Sequence, residues 1–236
     1  MELRPNCGNS FDFRAIAQFA IIDLFDVVSR EDDMNRRELM KDVGIATGAA
    51  SLLAVGAARA QGAAVAVNVL VAYHSVTGNT EKMAQGVAEG AKEVPGANVV
   101  IKNVGEVTAD DLLAADALIV GSPVYYTNMA GEVKTFFDNW LLKHKFPFAE
   151  FKMRNKVGAA FVTGGAISNG KETAMTAILN AMIINQMIIV SGGGAFGASA
   201  TTRPDSPGID DKELATARAL GKRVAEVAVI TKRGSV

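Results

Sequence analysis

The stretch "YHSVTGNTEKMA", residues 73–84, joins a run of valines and leucines to an amphipathic segment, and it packs Ser75, Thr77, Gly78, Asn79 and Thr80 into six positions. Small hydroxyl and amide side chains at a strand-to-helix turn leave backbone N–H groups free at the positive end of the helix dipole. The hydroxyls add further donors, so such a turn holds an anion without any basic residue. The phosphate loop of nucleoside triphosphatases is excluded, because a lysine would have to follow its glycine. Here Asn79 and Thr80 follow Gly78, and Lys82 comes later, on the helix. The dinucleotide pattern G-x-G-x-x-G is excluded as well, since Gly78 stands alone in the turn. The turn suits a terminal phosphate dianion held by neutral donors.

On either side of this turn the chain alternates apolar strands with amphipathic helices. "AVNVLVAY" (66–73) reads as a buried strand by its β-branched content, and residues 79–93 carry Met83, Val87 and Ala91 along one helical face. Then come "ANVVIKNV" as a strand, a short helix near 108–114, "DALIVGS" as a strand and a helix over 130–142. "NKVGAAFVT", a helix over 171–184, "MIIVSG" and a helix over 210–229 complete the series. Five strands, each followed by a helix, predict an α/β fold: a parallel sheet covered by helices on both faces. The Gly-, Ser- and Pro-rich stretch from Ser191 to Asp211 is predicted to be the longest loop, flexible or site-forming.

In such a sheet ligands bind beyond the C-terminal ends of the strands, near the point where the strand order reverses. Two further strand ends are unusual. In "GSPVYYTNMAGEVKTFFDNW" (121–140), Ser122-Pro123 is expected to end the strand abruptly, after which Tyr125 and Tyr126 offer two aromatic faces to a flat heterocycle. In "FVTGGAISNGKETAMTAIL" (161–179), Thr163-Gly164-Gly165 ends the fourth strand with residues that allow close backbone approach.

Ser75-Val76-Thr77-Gly78-Asn79-Thr80 is similar to the S/T-x-T-G-x-T phosphate loop of flavodoxins. The segment at 121–131 resembles the G-[ST]-P-x-x-x-x-N-M-x-[GA] pattern of the tryptophan-repressor-binding-protein family, flavodoxin-like NAD(P)H:quinone oxidoreductases, with Asn128, Met129 and Gly131 in register. The resemblance runs through residues 66–230. It implies a three-layer flavodoxin-like sandwich with five parallel strands in the order 2-1-3-4-5. It also implies a bound flavin mononucleotide (FMN), with Ser75–Thr80 around the phosphate. Pro123, Val124, Tyr125, Tyr126, Thr127, Asn128 and Met129 would lie along the flavin, facing Thr163, Gly164 and Gly165. The implied activity is two-electron reduction of a quinone by NADH or NADPH, in a homodimer or homotetramer linked to oxidative stress. The other reading is a one-electron flavodoxin that docks to redox proteins. Tyr125 and Tyr126 are the flavin-facing candidates for a direct part in the reaction, and no metal site is expected. Two departures are plain. Tyr125 stands where the family's quinone reductases carry an arginine, and Ile184-Asn185-Gln186-Met187 replaces a segment with a histidine pair. Of the two histidines, His74 adjoins the phosphate turn, and His144, between Lys143 and Lys145, is expected at a solvated helix end.

The first 60 residues read differently. "VGIATGAASLLAVGAA" (43–58) has no charge but is short for a membrane span. Arg36-Arg37 precedes it and Ala58-Arg59-Ala60 follows, the order of a signal peptide. The arginine pair with Leu39, Met40 and Lys41 resembles a twin-arginine signal, which implies export of a folded protein to the periplasm by that machinery, or association with the membrane if the signal is retained. The expected organisation is an upstream extension at 1–33, a signal at 34–60 and an FMN-binding domain at 61–236. Residues 1–60 hold 7 of the 24 Lys and Arg and 9 of the 25 Asp and Glu, leaving 17 and 16 in the rest. That balance argues against a nucleic-acid partner and against the acidity usual in electron carriers. Cys7, the single cysteine, lies in the removed part, so the domain needs no disulfide.

Overall fold

The computed structural model describes residues 65–202 and 209–234, and the expectations for residues 1–60 lie outside that range. β1 (Val67–Tyr73), α1 (Asn79–Lys92), β2 (Ala97–Asn103), α2 (Ala109–Ala114) and β3 (Ala117–Tyr125) follow one another. A two-residue strand β4 (Asn128–Met129) precedes α3 (Gly131–Leu142), and β5 (Val157–Gly164) leads into α4 (Lys171–Ile183). The short strands β6 (Ile188–Ile189) and β7 (Ala198–Thr201) come before the final helix α5 (Asp211–Arg233).

The sheet order is β2-β1-β3-β5-β6, with β7 also paired to β5, and every one of these pairings is parallel. This is the flavodoxin-like sandwich, with five positions across the sheet. Strand alternation divides the interior into two cores. Val67, Val69 and Val71 face α1 and α5, together with Ile119, Phe161, Leu220 and Val224. Leu70, Ala72, Leu118, Val120 and Val162 face the other way, against Phe136 and Trp140 of α3 and Ile178 and Met182 of α4. Strands buried on both faces must be apolar at every position, hence the unbroken hydrophobic runs.

Two expectations are corrected. β3 does not stop at Ser122-Pro123 but runs on to Tyr125, and Pro123 pairs with Thr163 of β5. A proline is tolerated there because β1 has already left the sheet. The last β1 contact is the His74 N–H donating to the Gly121 carbonyl at 3.1 Å, so no neighbour requires an N–H from Pro123. The fifth strand is also not the continuous "MIIVSG". Ile188 and Ile189 pair with Val157 and Gly158, the chain leaves the sheet, and Ala198–Thr201 returns beside Phe161–Gly164. Part of the expected long loop is therefore β7.

Helices α1 and α5 pack at very close range. A Cβ on Gly90 would collide with the Arg218 carbonyl, and one on Gly221 with the Val87 carbonyl, so only glycine permits this approach.

Candidate functional site

Three loops meet at the C-terminal ends of β1, β3 and β5, where the strand order reverses. The first is the turn before α1. Gly78 is the helix N-cap with φ 82°, in the left-handed region, and no side chain caps the helix, so its first N–H groups remain available. Asn79 Nδ2 donates to Thr77 Oγ1 at 3.0 Å, which folds the turn on itself. Thr80 is buried, and its hydroxyl lies 2.8 Å from that of Thr163, tying the first loop to the end of β5. Ser75 Oγ is buried without a hydrogen-bond partner. Nothing lies within 4 Å of where a Cβ on Gly78 would sit, so the loop surrounds open space.

The second loop is a hairpin. Val124 pairs with Met129 and Tyr125 with Asn128, which leaves Tyr126 and Thr127 as a two-residue turn. Their φ angles are 47° and 66°, the pattern of a type I′ turn, which glycine and asparagine ordinarily occupy. A tyrosine and a β-branched threonine there hold backbone strain of order 1 kcal/mol each. Two contacts keep the hairpin in place. Ser122 Oγ accepts from the Ala130 N–H at 2.9 Å and donates to the Pro123 carbonyl at 2.7 Å. Gly170, at φ 84°, packs so closely that a Cβ on it would lie 2.6 Å from the Cβ of Thr127. Tyr126 is fully exposed, Tyr125 is 44 % exposed, and Thr127 and Asn128 are open to solvent.

The third loop runs from Thr163 to Gly170. Asn169, its amide oriented by its neighbours, donates to the Ala166 carbonyl and accepts from the Gly165 N–H, both at 3.2 Å. Gly165 has open space where a side chain would be, and Ile167 is 67 % exposed. Ser75–Thr80, Pro123–Met129 and Thr163–Gly165 thus share one end of the sheet. Asn169, Gly170 and Ile167 were not singled out from the sequence. The glycine preceding a helix was the available signal, but only the fold shows that it abuts Thr127.

Two lysines that flank the loops donate to internal partners. Lys82 Nζ donates to the Ile209 carbonyl at 2.8 Å, and the buried Lys171 donates to Thr201 Oγ1 at 2.6 Å. His74 Nε2 is buried and sits 3.5 Å from Glu132 Oε2, an ion-pair distance without hydrogen-bond geometry, so its side chain reaches α3. The Tyr73 hydroxyl is held above its usual range, chiefly by burial and then by the charge of Glu81. His144 differs from expectation: it is half-buried beside Phe146, ring centroids 5.9 Å apart, and burial, then Lys143, lowers its pKa. A separate cavity of about 410 Å3 lies between Asn103–Gly105 and the first turns of α3, outside the three loops.

An open parallel sheet with neutral phosphate donors at its switch point and an aromatic hairpin beside them defines a mononucleotide-binding protein of the flavodoxin class. The chain belongs to the NADPH-dependent FMN reductase family, whose model matches residues 65–202. It is 32% identical to a flavodoxin of Clostridium saccharobutylicum, over 67% of this chain and 96% of that one. It is equally, 32%, identical to an NAD(P)H dehydrogenase (quinone) of Archaeoglobus fulgidus, over 68% of this chain and 96% of the relative. Among solved structures it resembles a flavodoxin, WrbA-like protein from Agrobacterium tumefaciens, with TM-score 0.58 and 30% identity over 69% of this chain and 98% of the other. The site fits FMN: the buried Ser75 hydroxyl lacks a partner, the uncapped helix start offers N–H groups, and Gly78 and Gly165 leave the space a ligand needs.

Proposed function

We propose that the protein is an FMN-dependent NAD(P)H:quinone oxidoreductase. The observation that carries this reading is the strained hairpin, which presents Tyr125 and Tyr126 beside loops able to hold FMN and free of charged residues. FMN, when bound, supplies two-electron transfer between a reduced nicotinamide and a quinone. The chain's own residues hold and shield it. Ser75, Thr77, Asn79, Thr80 and the N–H groups after Gly78 receive the phosphate. Pro123–Met129 and Thr163–Gly165 would flank the flat ring. Tyr125 and Tyr126 would offer it apolar aromatic faces. None of residues 75–80, 123–129 and 163–165 is acidic, basic or histidine, so protons for the acceptor come from solvent.

A flavodoxin-type electron carrier is the second reading, favoured by the equally similar relative named flavodoxin. One experiment separates them. The purified chain, loaded with FMN, is mixed anaerobically with NADH or NADPH, and the visible flavin band is followed before and after adding benzoquinone. Fast bleaching and complete recovery support the reductase. A chain that keeps FMN, ignores both nicotinamides and takes electrons singly from dithionite is a carrier. The proposal extends to export of the chain through the twin-arginine-like segment 34–60, which fractionation of a host expressing Arg36→Lys/Arg37→Lys against wild type tests. It extends also to a homodimer or homotetramer, for which exposed Leu142, Phe148, Ile183 and Ile184 offer apolar surface. Light scattering tests that assembly.

A further inference from the structure

Among the described residues, the three loops themselves carry no charged side chain. None of residues 75–80, 122–131 and 163–170 is acidic, basic or histidine. The exposed bulky side chains of their rim are Val76, Tyr125, Tyr126 and Ile167, of which Val76 is 71 % exposed and Tyr126 fully so. Of the ionisable groups flanking the loops, Lys82 and Lys171 donate to internal oxygens, while the carboxylates of Glu81, Glu132 and Glu172 are exposed and offer an anion no attraction. Such loops offer an anionic substituent no counter-charge to replace its water. An uncharged apolar ring gains contact area on the same surface at no electrostatic cost.

Resting on the reductase reading, we propose that this rim selects the electron acceptor by charge, admitting uncharged, apolar quinones and disfavouring anionic ones. Val76, Tyr126 and Ile167 are the specificity determinants. The reaction balances without another reactant: the reduced nicotinamide gives a hydride, water gives a proton, and the quinone takes two electrons and two protons to become the hydroquinone. A neutral quinone carries no charge for a field to act on, so its encounter does not depend on ionic strength.

The test uses the full chain loaded with FMN and two probes, 1,4-naphthoquinone and its 2-sulfonate. Dissociation constants for the oxidised protein are read by fluorescence quenching, and kcat/KM is measured with a reduced nicotinamide at low and high salt. The expected result is binding about tenfold or more tighter for the neutral quinone, with neither its Kd nor its kcat/KM moved by salt. Ile167→Lys should raise kcat/KM for the sulfonate several-fold in a salt-dependent way, Ile167→Glu should lower it, and both should weaken binding of the neutral quinone by removing its apolar contact. Equal binding of both probes, or no response of sulfonate selectivity to either Ile167 substitution, overturns the rim's role and leaves the reductase standing. If neither quinone reoxidises the reduced protein, the reductase reading falls, and the proposed role of the rim falls with it.

Discussion

The Thr80–Thr163 contact is the smallest unit on which the site depends. Two buried hydroxyls 2.8 Å apart join the phosphate turn to the end of β5. Thr80→Val strands the partner hydroxyl and should cost roughly 1–3 kcal/mol. The double variant Thr80→Val/Thr163→Val should cost less than the sum of the two singles, because no orphan remains. Urea unfolding of all four proteins closes that cycle, and strict additivity would show the hydroxyls to be independent. The hairpin tip gives a test of the opposite sign. Tyr126→Asn/Thr127→Gly installs residues suited to φ 47° and 66° and should raise stability by about 1 kcal/mol, visible as a higher Tm. The same change should slow quinone reduction if the tyrosine face serves the acceptor. Neither the strain nor the hydroxyl pair was legible in the sequence, since both arise from partners distant along the chain. The turn before α1 was legible as an uncapped strand-to-helix turn, because its residues are consecutive in the chain.

Among the elements, α2 depends most on local chemistry. Thr108 and Asp111 form a reciprocal capping box, and Asp111 also receives the Lys102 ammonium at 2.7 Å. Lys102 is the main cause of the lowered Asp111 pKa, from 3.8 to about 2, with the Thr108 hydrogen bonds assisting. A depressed carboxylate stabilises the fold above its unfolded pKa and loses that contribution as pH falls through the folded value. Asp111→Ala should therefore cost roughly 1 kcal/mol near neutrality, and the Tm gap from wild type should narrow steadily between about pH 4 and pH 2. A gap that stays constant across that range would contradict the assignment. At the α1–α5 contact, Gly221→Ala must push the helices apart against the Val87 carbonyl. A loss of about 1–3 kcal/mol is expected, read as a lower urea midpoint. Periodicity located all five helices of the described residues to within two residues, except at the end of α5, which runs four residues past its expected terminus. It missed β7 because "ASAT" has none of the bulk that marks a strand. Those small side chains pair with Phe161–Gly164, and Ala198 and Ala200 lie buried in the core shared with α5.

For the molecule as a whole, the fold was readable because the central strands β1, β3 and β5 are buried on both faces and the helices between them mostly on one, so the two hydrophobic periods alternate along the chain. The grouping of three loops at one sheet end followed from parallel topology alone. What the sequence withheld was the way neighbouring loops brace each other, above all Gly170 against Thr127. Gly170→Ala should displace the hairpin, weakening FMN affinity at least several-fold while the far end of the domain stays folded. Titration of FMN fluorescence beside a circular dichroism melt reads both effects. The interruption between β6 and β7 bears on the protein's life in concentrated solution. The edge it creates has two residues of strand, an eight-residue departure over 190–197, and four residues of strand. A foreign strand finds no continuous ladder to extend there, so sheets cannot stack edge to edge on that side. The opposite border, β2, keeps seven residues in line with Val100 and Ile101 exposed, and is where self-association into larger β-structures would begin.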